Sequence, residues 1–246
     1  MEVLGIDVGG SGLKAAPVDT VSGALLAERY REDTPQPASP KALIKVMNRI
    51  VKHFDWKGPV GVGFPAVIRN GVAYSAANVD KGWIGTNGEA MLKESTGLDN
   101  VFVNDADAAA LAELSFGNCK GRMGTVLVIT LGTGIGTALF RNGHLIPNLE
   151  FGHIEINGKD AEKIASAKVR KDEDLKWPEW GGRVNNYLQR VEALISPDLI
   201  VIGGGVSKKA DKFFPYLKLN AEVMPASLEN DAGIVGAALA YGSLRG

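Results

Sequence analysis

Gly5-Ile6-Asp7-Val8-Gly9-Gly10-Ser11-Gly12-Leu13-Lys14 decides how this chain is read. An apolar strand ends on a carboxylate, turns tightly through glycines and leaves as a second apolar strand. Such a turn can present successive backbone N–H groups to an anion with no side chain in the way. Ser11 adds a hydroxyl donor and Lys14 a positive charge. From Ile129, the stretch Ile129-Thr130-Leu131-Gly132-Thr133-Gly134-Ile135-Gly136-Thr137 follows the same plan, with Thr133 supplying the hydroxyl. The match is one of pattern rather than identity. Two such hairpins in separate halves predict two related α/β lobes facing each other across a cleft. Neither turn is a Walker A loop, because no G-x-x-x-x-G-K-[ST] is present. Gly61-Val62-Gly63 fits a loosened dinucleotide fingerprint by accident, since Pro65 and the Asn70-Gly71 turn interrupt any following helix.

Outward from these turns, apolar runs predict strands over residues 3–8, 13–18, 24–31, 59–64, 101–103, 125–131, 135–140 and 199–202. Helical spacing of Leu43, Ile44, Met47, Ile50, Val51 and Phe54 predicts a helix over residues 41–54. Further helices are expected over residues 87–95, 106–116, 161–167, 179–195 and 231–244. Asn142-Gly143 is a two-residue hairpin signal. The lobes are expected to comprise residues 1–104 and 105–230, with the last helix, residues 231–246, packing back on the first.

The whole composition is that of an ordinary globular chain. Of 246 residues, 45% are hydrophobic and 22% charged, and 27 basic against 28 acidic residues leave a net charge of −1. That balance argues against a general nucleic-acid or anionic-membrane surface. A single cysteine, Cys119, excludes an internal disulfide and any multi-cysteine zinc or iron–sulfur site. No apolar run approaches the roughly 18–20 residues that span a bilayer, and Met1–Asp7 lacks the basic start of a signal peptide. A cytoplasmic protein is expected.

Several residues could carry chemistry. Asp105 follows a buried strand at the start of a helix, where it can either cap the helix or act as general base for a hydroxyl nucleophile. Asp7 closes the first strand beside the first glycine turn and could hold Mg²⁺ near a phosphoryl group. Glu150 and His153, with Asn104 and Asp105, could form a hydrogen-bonding wall for a polyhydroxyl substrate. Two basic runs stand apart: Lys163, Lys168, Arg170 and Lys171, and Lys208, Lys209 and Lys212 just after Gly203-Gly204-Gly205. Such runs are usually solvated faces, but they could also track a polyanion.

"GIDVGGSGLK", "VNDADAAALAE", "TLGTGIGTAL", "LEFGHI" and "IGGGVS" resemble, in order and over nearly the whole chain, the motifs of the ROK sugar kinases. These belong to the actin-like ATPase superfamily, an α/β, ribonuclease H-like, two-lobed fold with a central cleft. The resemblance implies that Asp105 is the catalytic base and that Asn104, Asp105, Glu150, His153 and Glu162 hold the sugar. "SAANVDKGW" adds Asn78. The donor phosphates would meet Asp7, Gly9, Gly10, Ser11, Gly12, Lys14, Gly132, Thr133, Gly134, Gly203, Gly204, Gly205, Lys208 and Lys209, with Mg²⁺ at Asp7. Many of the family carry C-x-C-G-x-x-G-C after the Gly-His; here Ile154–Ala161 has no cysteine, so no zinc is expected. That short zinc-free form resembles the family's polyphosphate glucokinases and glucomannokinases. The implied activity is transfer from polyphosphate, and from ATP, to the 6-hydroxyl of glucose or mannose by a homodimer. An ATP-only hexokinase and a non-catalytic sugar sensor are the alternatives.

Overall fold

The computed structural model describes residues 1–77, 79–228 and 231–243, so Asn78 lies outside the described residues. The chain forms two compact units, Met1–Ala112 with Asp231–Gly246, and Glu113–Asn230.

In the first unit β1 (Glu2–Val8), β2 (Gly12–Asp19) and β3 (Tyr30–Asp33) form an antiparallel meander. Helix α1 (Pro40–His53) follows, and β4 (Val60–Phe64) pairs with β1 in parallel. A short hairpin, β5 (Ile68–Arg69) and β6 (Val72–Ala73), precedes α2 (Gly88–Thr96). Strand β7 (Asn100–Asn104) completes a sheet of order β3-β2-β1-β4-β7 and runs straight into α3 (Asp105–Phe116). Every residue of β4 and β7 is buried, as parallel strands covered on both faces require. Helix α1 turns Leu43, Ile44, Val46, Met47, Ile50 and Val51 into the core, which is the 3.6-residue pattern read from sequence. The Asn87 side chain caps α2 by accepting from Ala90 N–H at 2.9 Å, and Gly97 ends it at φ 76°.

The second unit repeats the arrangement. Strands β8 (Thr125–Leu131), β9 (Ile135–Arg141) and β10 (His144–Ile146) form the meander, closed by the Asn142-Gly143 turn. A hairpin of β11 (Glu155–Ile156) and β12 (Lys159–Asp160) leads to α4 (Glu162–Ala165), α5 (Ala167–Asp172) and α6 (Trp177–Ile195). Strand β13 (Leu199–Gly203) pairs in parallel with β8, α7 (Ala210–Phe213) follows, and β14 (Glu222–Pro225) pairs in parallel with β13. The order β10-β9-β8-β13-β14 matches the first sheet strand for strand and direction for direction. The internal echo of the two glycine turns therefore reflects a repeated topology.

Helix α8 (Ala232–Ser243) packs on the sheet of the first unit. Glycines make this approach possible. A Cβ on Gly61 would lie 1.8 Å from the Ala237 carbonyl oxygen, and one on Gly236 would lie 1.6 Å from that of Ala108. Close packing of backbone on backbone leaves no room for either.

Two expected elements differ. The strand expected over residues 24–31 begins at Tyr30, and Leu25 contributes only an isolated bridge to Val18. The Asp19 carboxylate accepts from Val21 N–H and the Ser22 hydroxyl, so a local turn takes up the chain that would otherwise pair. The helix expected over residues 161–167 is broken at Ser166, whose extended ψ of 158° ends α4 and whose hydroxyl caps α5 through Val169 N–H. Among the described residues no helix is long and apolar enough to cross a membrane.

Candidate active site

In the first unit the β1–β2 turn is closed by Gly9 N–H donating to the Gly12 carbonyl at 3.0 Å. Two residues not singled out from sequence brace it. Arg31 donates to the Ser11 carbonyl at 2.8 Å, and the Thr34 hydroxyl donates to that of Gly9 at 2.6 Å. Both arrive on or just after β3, so only the strand pairing could have revealed them. Cross-strand register sets Lys14 opposite Asp7. Burial pushes the Asp7 carboxyl above the usual carboxylate range, and the Lys14 charge partly offsets this. Gly233, at the start of α8, lies close against the carboxylate: a Cβ there would stand 2.7 Å from the Asp7 Cγ.

At the β7–α3 corner the capping role belongs to Asn104. Its Oδ1 accepts from Ala106 N–H at 2.9 Å and Asp107 N–H at 3.1 Å, while its Nδ2 donates to the Ala66 carbonyl at 3.1 Å. Asp105 is thereby relieved of the capping task, although its Oδ1 also takes the Ala106 amide at 2.9 Å. Trp83, the aromatic of the "SAANVDKGW" stretch, is fully buried and donates to the Ala38 carbonyl at 3.0 Å. It belongs to the core of the first unit.

In the second unit the Gly132–Gly134 turn is closed by Gly132 N–H donating to the Gly134 carbonyl at 3.0 Å, and Thr133 is exposed. Lys168 N–H donates to the Gly132 carbonyl at 3.0 Å, so the first basic run meets this turn at its second member. Gly204, at φ 86°, backs onto Leu131, where any side chain would strike the Leu131 carbonyl. Lys208 and Lys209 follow, exposed on a single 3₁₀ turn, Ser207–Lys209. The first basic run is less available than its sequence suggests. Lys163 pairs with Asp160 at 3.0 Å, Lys168 pairs with Asp172, and Arg170 lies over the Trp177 ring at 4.1 Å. Lys212 reaches the same ring at 5.8 Å, so Trp177 brings the two runs together.

Glu150 precedes and His153 ends a 3₁₀ turn, Phe151–His153, that lies against β9. The buried Thr137 fixes it, its hydroxyl donating to the Leu149 carbonyl at 2.9 Å and accepting from Phe151 N–H at 3.1 Å. Burial, with the nearby Glu162 charge adding to it, raises the Glu150 carboxyl above its ordinary value, and His153 counters. The His153 Nε2 lies 3.7 Å from Glu150 Oε2, and its Nδ1 lies 3.9 Å from Asp160 Oδ2. Glu162 begins α4, and its carboxylate occupies the space beside Gly134 that a Cβ would fill. One segment thus gathers three sequence-predicted residues, Glu150, His153 and Glu162, beside the second glycine turn. Asp160 joins them without having been predicted.

Residues 3–167 match the ROK family pattern. The chain is 49% identical to the polyphosphate glucokinase of Mycobacterium tuberculosis strain CDC 1551 / Oshkosh, over 96% of this chain and 89% of that one. Among solved structures it resembles the inorganic polyphosphate/ATP-glucomannokinase of Arthrobacter sp. strain KM, with a TM-score of 0.93, 46% identity and 99% of both chains covered. It shares its fold with a ROK family glucokinase from Streptomyces griseus solved with glucose and AMPPNP, at TM-score 0.83 and 23% identity, over 97% of this chain and 98% of that one. With its repeated sheets, paired glycine turns and Glu150–His153 segment, and with these likenesses running its full length, the chain belongs to the ROK family.

Proposed function

We propose that the protein is a glucokinase that transfers a phosphoryl group from inorganic polyphosphate, and also from ATP, to the 6-hydroxyl of glucose, with mannose as a second acceptor. The observation that carries this reading is the 49% identity to a polyphosphate glucokinase over 96% of the chain. Glu150, His153 and Glu162 hold sugar hydroxyls, and Asn104 has one amide hydrogen left for the same purpose. Asp105 accepts the proton of the 6-hydroxyl as the loose phosphoryl transition state forms, so catalysis rests on positioning and charge neutralisation.

The N–H groups of the two glycine turns other than those of Gly9 and Gly132, which close the turns, hold the reacting phosphates with Ser11, Thr133 and Lys14. Asp7 suits Mg²⁺: its carboxylate is costly to keep charged when buried, and a cation bound beside it would offset that cost. Bound there, Mg²⁺ supplies charge neutralisation at the transferred phosphoryl group. Gly203–Gly205, Lys208 and Lys209 lead the polyanion away from the turns, and the meeting of Arg170 and Lys212 on Trp177 supports a shared track.

Initial rates with glucose, mannose and fructose against ATP, GTP and polyphosphate, each with Mg²⁺, test the reading. Glucose with polyphosphate is expected to give sugar 6-phosphate. Replacing Lys208 and Lys209 together by alanine is expected to raise KM for long polyphosphate well above any change in KM for ATP, with a steeper salt dependence for the polymer. Turnover with ATP alone would leave an ATP-only hexokinase, and no turnover with any donor would leave a sugar sensor.

A further inference from the structure

We propose that Asp160 is a positioning residue that holds the Nδ1 proton of His153 and so presents a bare Nε2 to the sugar. The proposal rests on the sugar-kinase reading above and deepens it. The backbone of His153 is fixed: Gly152 sits where any Cβ would strike the Ile135 carbonyl, and Thr137 bonds on both sides of Glu150. Its ring is not fixed by these contacts. The imidazole side chain is 45% exposed, and the charged groups around it are Glu150, Asp160, Glu162 and Lys163.

Of these, Glu150 lies beside Nε2 and Asp160 beside Nδ1, the two nitrogens that flank Cε1. The chain places Asp160 with care. It ends a hairpin whose register sets it opposite Glu155, and the Asn157-Gly158 turn, at φ 52° and 76°, is of the two-residue type that fixes register. Lys163, the second residue of the following helix, holds the Asp160 carboxylate at 3.0 Å on the same oxygen that faces His153. The nitrogen of a histidine that carries the proton is set by the partner of the other nitrogen. Two carboxylates thus compete for one ring proton; with Glu150 committed to a sugar hydroxyl in the sugar-kinase reading, Asp160 keeps the proton on Nδ1 and leaves Nε2 to accept from the sugar. The 3.9 Å separation is longer than a hydrogen bond, and catalytic hydrogen bonds often tighten only when substrate is bound.

The test compares wild type with Asp160→Ala, Asp160→Asn and Lys163→Ala, using imidazole ¹⁵N shifts at pH 8.5 and glucose kinetics. His153→Gln assigns the signal among the 3 histidines. Wild type is expected to show the Nδ1–H tautomer at His153. Asp160→Ala should move the population towards Nε2–H and raise KM for glucose about tenfold, as expected when a charged hydrogen-bond partner is lost. KM for polyphosphate should stay within about twofold. Asp160→Asn keeps an acceptor oxygen and should restore most of both effects, and Lys163→Ala should keep the wild-type tautomer. An unchanged His153 tautomer in Asp160→Ala overturns the proposal. So does a Lys163→Ala variant that reproduces the Asp160→Ala defect, because Asp160 would then act only through its ion pair. If the wild type phosphorylates no hexose, the kinase reading fails separately, and the tautomer comparison still decides the role of Asp160.

Discussion

Gly236→Ala and Gly242→Ala make the same substitution in the same helix and are expected to act in opposite directions. At Gly236 the new Cβ would lie 1.6 Å from the Ala108 carbonyl oxygen. Non-bonded carbon and oxygen need about 3.3 Å, so α8 and α3 must separate by more than about 1 Å. Both sides of this contact are backbone, and no side-chain rotation relieves it. The separation loosens α8, whose Ile234, Val235, Ala237, Ala238 and Ala240 are buried. Overpacking typically costs about 1–3 kcal/mol, and a contact with no soft partner belongs at the upper end. For a chain of this size that corresponds to a melting point lower by about 6–12 °C.

Activity should fall as well, because Ala108 lies one turn along α3 from Asp105, and a displacement of about 1 Å at a reacting group can cost about 100-fold. At Gly242 a Cβ meets nothing within 4 Å, so alanine should gain up to about 1 kcal/mol of helix propensity. Thermal unfolding followed by circular dichroism, with glucose 6-phosphate formation on the same samples, measures both. A Gly236→Ala protein melting within about 2 °C of wild type would refute the close-packing argument.

Two further predictions concern ionisation. Because burial and Glu162 raise the folded-state pKa of Glu150, its ionisation opposes folding as pH rises from the ordinary carboxylate range through that raised value. Glu150→Gln should therefore melt higher than wild type at pH 8, lose that advantage near pH 4 and bind glucose more weakly; a lower melting point at pH 8 would contradict the sign. The Cys119 thiol is pushed up to about 12, by burial first and by the Glu113 charge second, so in native buffer at pH 8 it should react with a thiol reagent at least about 100-fold more slowly than in denaturant. Stoichiometric labelling of native protein within seconds would count against it.

What the sequence disclosed follows from the range of the forces involved. The glycine turns, the α1 stripe and the Asn142-Gly143 hairpin are local patterns, and local patterns are legible without a fold. The repeated topology was visible as an echo because each half had to solve the same turn. Arg31, Thr34 and Thr137 were not visible: each acts through partners at least a dozen residues away, so only strand register brings them into place. Asp105 could be read from sequence as cap or base, and hydrogen bonds decide between them by giving the helix cap to Asn104. The basic run from Lys163 to Lys171 looked uniform, yet ion pairs and the Trp177 ring occupy three of its four cations. Their acidic partners, Asp160 and Asp172, were in plain view, but spacing alone did not say which would turn towards them.

The account stands most directly on Asp105. Initial rates of glucose 6-phosphate formation from glucose, polyphosphate and Mg²⁺ should be measured for wild type and for Asp105→Asn, with KM for glucose determined for each. General-base catalysis typically contributes about 10²–10⁴-fold, and the amide preserves shape, so kcat should fall at least about 100-fold while KM for glucose stays within several-fold. A variant that turns over near the wild-type rate would contradict the assignment of Asp105 and the phosphoryl-transfer chemistry built on it.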